Sequence, residues 1–264
     1  MRKVLSIAGS DCSGGAGIQA DLKTITVHNL YGMSVITALT AQNTTGVSGV
    51  YEVSPEFVKQ QLDMVFTDIY PDAVKIGMVA DPSIIDVIAD KLVEYGAKNI
   101  VLDPVMISTS GSRLMKEEAV DLLVRKLIPL ADIITPNIPE AEVLSGITIH
   151  TREDMEYAAR RIGEWYMGSI LIKGGHLQER SDDLLYKDGK VHWFTQENID
   201  NPNTHGTGCT LSSAIACNLA EGKSMIKSIA ASKEFVTGAL KEDFDIGKGS
   251  GPLNHSWNIK RDNN

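Results

Sequence analysis

The chain has 264 residues, with 25 Lys and Arg against 34 Asp and Glu, a formal net charge of −9, and 43% hydrophobic and 22% charged residues. This is ordinary globular usage, enough to bury a full core as one large or two small domains, and it excludes disordered and collagen-like classes. An acidic balance argues against nucleic acid as the main partner, because affinity for a polyanion comes largely from Lys and Arg displacing counterions.

In chain order, short β-branched runs alternate with segments of helical period. Strands are expected over Val4–Ala8, Ser34–Ala41, Ala73–Ile76, Ile100–Asp103, Ile133–Thr135 and Ile170–Lys173. Helices are expected over Gly17–His28, Pro55–Phe66, Pro82–Tyr95, Lys116–Leu127, Pro139–Leu144 and Arg152–Met167. Several helix starts are marked: Ser54-Pro55 and Asp81-Pro82 pair a capping residue with Pro in the first turn, and Thr151 precedes Asp154. The strands are continuous apolar runs, as in a parallel sheet buried on both faces. Asp183–Tyr186 and Val191–Phe194 flank Asp188-Gly189, the dipeptide of a type I′ hairpin, so a small antiparallel edge is expected there. Helices over Cys209–Ala220 and Ser224–Lys241 close the chain before a Gly-rich tail at Gly247–Gly251. With no repeat, linker or composition break, one domain over 1–264 is the economical reading. Apolar runs such as Ile100–Leu102 and Ile170–Ile172 fall far short of the ~20 residues that span a bilayer, so neither a membrane span nor a signal peptide is expected.

In an open parallel sheet, ligands bind beyond the carboxyl ends of the strands. Those ends lead here into Gly9–Gly17, Gln42-Asn43-Thr44, Gly77-Met78, Asp103-Pro104-Val105, Thr135-Pro136-Asn137 with Glu140, and Lys173-Gly174-Gly175-His176. Turn residues alone would explain the glycines; the added acids, amides and lysine mark an active-site edge. The most informative segment is His205-Gly206-Thr207-Gly208-Cys209, which opens a helix of small and apolar residues. Glycines let successive N–H groups turn toward one point, and the helix N-terminus adds about half a positive charge there, forming an anion hole suited to a transferred phosphoryl group. Cys209 lies in the first turn, where the helix dipole should lower its thiol pKa and make it a base for a substrate hydroxyl, although a small buried packer is the bland alternative. Cys217 belongs to an apolar helix face. Three cysteines without a C-x-x-C pair fit neither a disulfide framework nor a zinc knuckle and point to a reducing cytoplasm. Gly222-Lys223-Ser224 is not a phosphate loop, because Cys217 stands where Gly is required, and Gly15–Ala20 matches a dinucleotide fingerprint without the acid that would bind a ribose.

Together these loops closely resemble bacterial hydroxymethylpyrimidine/phosphomethylpyrimidine kinases of thiamine biosynthesis, in the ribokinase-like superfamily. The markers run nearly end to end: Ala8–Asp11 and Ser13–Lys23, Thr40–Thr44, Lys75–Met78, Asp103–Met106, Thr135–Asn137 with Glu140-Ala141, Lys173–His176, His205–Ser212 and Gly251–His255. The resemblance implies an α/β, three-layer ribokinase-like fold, with a mostly parallel central sheet flanked by helices and no separate lid domain. It implies a cytoplasmic homodimer using ATP and Mg2+ to phosphorylate a small pyrimidine twice. Gln42 matches the reader of the aminopyrimidine edge, with Asp21, Met78 and Val105 lining that pocket. Cys209 matches the base, and Gly206 and Gly208 the anion hole. Lys173, Asn137 and Thr207 match residues around the nucleotide phosphates, and Asp103 and Glu140 the hard oxygen ligands for Mg2+. Cys12 replaces the Pro of many members and touches none of these roles.

Each residue also has a plainer reading: Asp21 as a solvated first-turn residue, Met78 as core, Asn137 and Glu140 as helix-start residues, Val105 as packing. Two rival functions stay open. A pyridoxine/pyridoxal kinase shares this fold and a hydroxymethyl on a six-membered aromatic ring; a non-catalytic nucleotide- or pyrimidine-binding protein would have no need of Cys209, the anion loop and the acidic residues.

Overall fold

The computed structural model describes residues 1–106, 115, 117–175, 182–196, 199–242 and 244–259. His176 and Lys116, named above, lie outside the described residues. Among the described residues, nine strands run as β1 (Lys3–Asp11), β2 (Tyr31–Asn43), β3 (Gly46–Glu52), β4 (Ala73–Ile76), β5 (Ile100–Leu102), β6 (Ile133–Ile134), β7 (Ser169–Ile172), β8 (Asp183–Lys187) and β9 (Lys190–Phe194). The α-helices are α1 (Gly17–Val27), α2 (Pro55–Asp68), α3 (Pro82–Tyr95), α4 (Glu117–Leu122), α5 (Ile138–Ser145), α6 (Arg152–Gly163), α7 (Thr207–Ala220) and α8 (Met225–Lys241).

The strands form one sheet in the order β3-β2-β1-β4-β5-β6-β7-β8-β9, parallel from β2 through β7 and antiparallel at both edges. Side chains alternate between two cores. Leu5, Ile7, Val74, Ile76 and Leu102 face α2 to α6, whereas Val4, Ala73, Val101 and Leu171 face α1, α7 and α8. This is the expected three-layer α/β arrangement. Three helix starts and the β8–β9 hairpin have local causes in the sequence: Ser54 and Asp81 accept from Phe57 N–H and Ile84 N–H, Thr151 and Asp154 form a reciprocal capping box, and Asp188 and Gly189 both take positive φ as a type I′ turn requires.

Three local expectations need correction. β3 was not expected, because every one of its residues is exposed and no buried face imposes an alternating pattern. It pairs antiparallel with Ala38–Asn43. The last β1–β2 pair is Asp11↔Thr40, so Gln42 and Asn43 stand on a two-stranded arm beyond the sheet edge. The helix expected up to Leu127 passes into a π-helical turn over Leu123–Leu127 and then a 3-10 turn over Ile128–Leu130, where Pro129 lacks the N–H to continue. α6 stops at Gly163 rather than Met167. Among the described residues, no helix is long and apolar enough to cross a membrane.

Candidate active site

The parallel strands all deliver their carboxyl ends to one edge, and α7 begins there. Gly206 caps α7 with φ 85°, and a Cβ at this position would sit 1.9 Å from the Gly15 carbonyl oxygen. Only glycine allows the Gly-rich loop after β1 to close against the start of α7. Thr207 spends both its hydroxyl and its N–H on the Thr204 carbonyl, at 2.6 and 3.2 Å, so it shapes the loop. The Gly208 and Cys209 amides are at the first helical turn, where helix geometry supplies no acceptor. A Cβ on Gly208 would lie 3.3 Å from both Asp103 Oδ2 and Lys173 Nζ. The start of α7 and a charged pair from the ends of two strands therefore meet at one point.

That pair is well buried: Lys173 Nζ donates to Asp103 Oδ1 at 2.8 Å, with side-chain exposures of 17% and 3%, and Thr135 Oγ1 donates to the same oxygen at 3.2 Å. Burial alone would push the Lys173 ammonium down, but Asp103 and Glu140 outweigh it and hold its pKa above the ordinary value. Asn137 and Glu140 form a capping box on α5, with Asn137 Oδ1 accepting from Glu140 N–H at 2.9 Å and Glu140 Oε2 accepting from Asn137 N–H at 2.8 Å. Their helix-start role is thus real, and it also points the Glu140 carboxylate toward Asp103 and Lys173. Burial first, and Asp103 in addition, push Glu140 up to about 7 against the pull of Lys173. Among the described residues, no group of three or more His, Cys, Asp or Glu side chains could hold a metal. Two carboxylates are what Mg2+ needs when phosphates and waters complete its octahedron, and two acids sharing one lysine leave negative charge that a cation would neutralise. Asp103 and Glu140 fit that role.

Cys209 is half-buried, and here the expected direction of its pKa is overturned. Burial pushes the thiol up, as do the carboxylates of Asp21 and Asp103, while Lys75 and the Gly17 backbone pull it down without prevailing. The dipole argument left out the cost of desolvating a thiolate. Asp21 is also not where a pocket-lining or solvated residue would be. It is fully buried, accepting from Ser6 Oγ at 2.5 Å, Lys75 Nζ at 2.8 Å and Ser213 Oγ at 2.7 Å. It is thus spent on three buried partners and exposes nothing to solvent. Sequence alone assigns no role to Lys75 beyond its place in the Lys75–Met78 segment; a lysine inside an otherwise apolar strand is the signal of a buried partner.

Gln42 lines a shallow, open depression on the β2–β3 arm together with Cys12, Ala41, Asn43 and Val47, and Met78, Val105 and Cys209 are not part of its lining. The Gln42 amide is fixed at the back: Oε1 is 3.2 Å from Thr40 Oγ1 and Nε2 is 3.3 Å from His205 Nε2, itself 2.9 Å from Asp11 Oδ2. Burial would raise the Asp11 carboxyl, but hydrogen bonds from His205, Ser13 and Ala16 hold it well below the usual carboxylate range. Cys12 does touch a site residue, contrary to expectation: its Sγ donates to the Gln42 carbonyl at 3.1 Å and accepts from Gln42 N–H at 3.3 Å. Met78 is half-buried, with its methyl 2.8 Å from where a Gly9 Cβ would stand, so it lies against the first Gly-rich loop. Val105 is half-buried just past Asp103. Cys217 is fully buried in the core of α7, as expected, and all three cysteines are unpaired.

The family model for phosphomethylpyrimidine kinase matches residues 11–254. The chain belongs to that family. It is 50% identical over 253 residues to the thiamine biosynthesis bifunctional protein ThiED of Geobacter sulfurreducens, covering 96% of this chain but 52% of that protein, so the kinase chain corresponds to about half of that longer relative. The crystal structure of phosphomethylpyrimidine kinase from Clostridium difficile 630 superimposes with a TM-score of 0.83 at 48% identity, over 91% of this chain and all of that one. Pyridoxal kinase of Bacillus subtilis, solved as an ADP complex, superimposes with a TM-score of 0.89 at 40% identity, over 97% and 98% of the two chains. The family kinase fold therefore accommodates both ring systems, and the backbone alone does not choose between them.

Proposed function

We propose that this kinase transfers a phosphoryl group from ATP to the hydroxymethyl of 4-amino-5-hydroxymethyl-2-methylpyrimidine, and a second to the resulting monophosphate, in thiamine biosynthesis. The observation that carries the reading is the meeting of Cys209, the Gly208 amide and the Asp103–Lys173 pair at the start of α7, in a chain with this family match. Gln42, Met78 and Val105 form the pyrimidine side of the site; a side-chain amide offers both the donor and the acceptor that an aminopyrimidine edge needs. Asp21 supports the site through its buried partners. Asn137 and Glu140 shape the phosphate side with Lys173, and Thr207 holds the loop.

In the first transfer, the substrate hydroxyl oxygen forms a bond to the γ-phosphorus, its proton passes to the Cys209 thiolate, the form that gains population as pH rises, and the bond from phosphorus to the ADP oxygen breaks. Lys173 and the first-turn amides of α7 bear the charge that develops on the phosphoryl oxygens. Asp103 and Glu140 would hold Mg2+, whose positive charge would neutralise the negative charge of the nucleotide phosphates. The second transfer differs: a phosphate monoester, with a second pKa of about 6, already presents an anionic oxygen at neutral pH and needs no base. The outer edge of β3, the terminal strand of the sheet, with Val50 and Tyr51 exposed, offers a surface for a second copy, in keeping with a homodimer, and the free cysteines are in keeping with the cytoplasm.

The resemblance to pyridoxal kinase makes vitamin B6 phosphorylation the second reading. Purified protein with MgATP and hydroxymethylpyrimidine should yield a diphosphate, seen as two coupled phosphorus resonances by NMR. Turnover of pyridoxine with none of the pyrimidine would replace the first reading by the second.

A further inference from the structure

Behind Gln42 lies a pair of side chains that the phosphoryl-transfer chemistry above does not use. Asp11 Oδ2 and His205 Nε2 are 2.9 Å apart, with side-chain exposures of 4% and 14%. The Asp11 carboxylate already accepts from its own loop: from the Ser13 N–H at 2.9 Å and hydroxyl at 2.7 Å on Oδ1, and from the Gly15 and Ala16 N–H groups at 3.2 and 2.9 Å on Oδ2. A carboxylate ringed by donors is ionised and only accepts, so His205 Nε2 carries a proton and donates it to Oδ2. The ring is wedged against Gly15, where a Cβ would collide with it, and the His205 N–H is fixed on the Gly251 carbonyl at 3.2 Å. The Gln42 amide touches His205 Nε2 at 3.3 Å on one end and Thr40 Oγ1 at 3.2 Å on the other. Thr40 Oγ1 is 2.9 Å from the Ser10 carbonyl, so its one proton goes there and its lone pairs face Gln42. The two neighbours make complementary demands: His205 presents an N–H and needs the amide oxygen, and Thr40 presents lone pairs and needs the amide nitrogen. With the nitrogen toward His205 two N–H groups would face each other; a half-turn of the amide pairs both ends.

We propose that Asp11 and His205 are positioning residues for substrate selection: together they fix the direction of the Gln42 amide, and with it the order of acceptor and donor offered to the edge of the substrate ring. The proposal rests on Gln42 reading the pyrimidine. An aminopyrimidine edge has an exocyclic amine that donates beside a ring nitrogen that accepts. Its 4-oxo analogue has the reverse order, an exocyclic oxygen that accepts beside a ring N–H that donates. An amide free to turn serves both, because a half-turn exchanges its donor and acceptor. A fixed amide leaves the reversed edge with facing donors and facing acceptors, and rejects it.

The test is the calorimetric affinity of the full chain and its variants for 4-amino-5-hydroxymethyl-2-methylpyrimidine and for the 4-oxo analogue. The parent should prefer the amino compound. His205→Leu removes the donor that holds the amide, so this preference should fall about tenfold, with the oxo compound bound more tightly than by the parent. Mere damage to the loop would weaken both ligands alike. His205→Gln restores N–H donors between Asp11 and Gln42 and should keep the preference within about threefold of the parent. If His205→Leu does not fold, Thr40→Val removes the acceptor at the other end of the amide and should lower the preference about threefold. Equal loss of both affinities, an unchanged preference in a folded variant, or long-range proton–nitrogen NMR correlations showing His205 Nε2 without a proton overturns the proposal. Failure of the pyrimidine reading is separate: it would appear as a Gln42→Leu variant with an unmoved preference, whatever the His205 variants do.

Discussion

Replacing Gly206 by alanine tests whether the start of α7 is a preorganised anion hole. Gly206 has φ 85°, and the left-handed conformation costs a residue with a Cβ about 1–2 kcal/mol. The new carbon would also lie 1.9 Å from the Gly15 oxygen. Real contacts do not fall below about 3.0 Å, so the two loops must separate by about 1 Å. Displacing a preorganised group by that distance costs roughly 10²-fold in rate, similar to losing one oxyanion donor at ~3 kcal/mol. Gly222 supplies the control: it has φ 83° and nothing within 4 Å of its would-be Cβ, so Gly222→Ala carries the backbone strain without the collision. Both variants should lose stability in thermal unfolding followed by circular dichroism, Gly206→Ala more. Only Gly206→Ala should lose about 10²-fold in kcat, measured by ADP release. A Gly206→Ala enzyme within threefold of the parent, or a Gly222→Ala enzyme equally impaired, would refute the reasoning.

Cys209→Ala should slow the first transfer by about 10²- to 10⁴-fold, the usual worth of a general base, yet leave the second transfer within tenfold; single-turnover rates for alcohol and monophosphate, compared directly, check this. Gln42→Leu should lower kcat/KM for the aminopyrimidine relative to pyridoxine by at least tenfold, since a buried ring donor and acceptor then go unpaired; unchanged relative kinetics would remove Gln42 from the pocket. Glu140 gives a pH dependence. Its folded pKa, about 7, lies above the ordinary 4.5, so between those values the folded protein holds a proton that the unfolded chain has released, and stability declines as pH rises through this window. Thermal midpoints without divalent cation should therefore fall from pH 5 to pH 7, Glu140→Gln should flatten the slope, and added Mg2+ should flatten it too if Glu140 and Asp103 hold the ion.

The architecture was legible in the sequence because burial writes itself into side-chain period. The apolar runs of β1, β4, β5 and β7, the Ser54, Asp81 and Thr151 caps and the Asp188-Gly189 turn all express local rules, and the glycines of the His205–Cys209 loop announce a helix start. β3 expressed no such rule, because no face of it is buried. The remaining decisions needed the tertiary structure, because they depend on which distant groups share a volume from which water is excluded. Only packing shows that Asp21 is spent on Lys75, Ser6 and Ser213, or that Cys12 lies against Gln42. The Cys209 thiol makes the point most directly. Its place at a helix N-terminus argued for a lowered pKa from sequence alone; desolvation among Asp21, Lys75, Asp103 and Lys173 reverses that sign, and charge balance in a buried space is a property of residues up to 188 positions apart that no local pattern records.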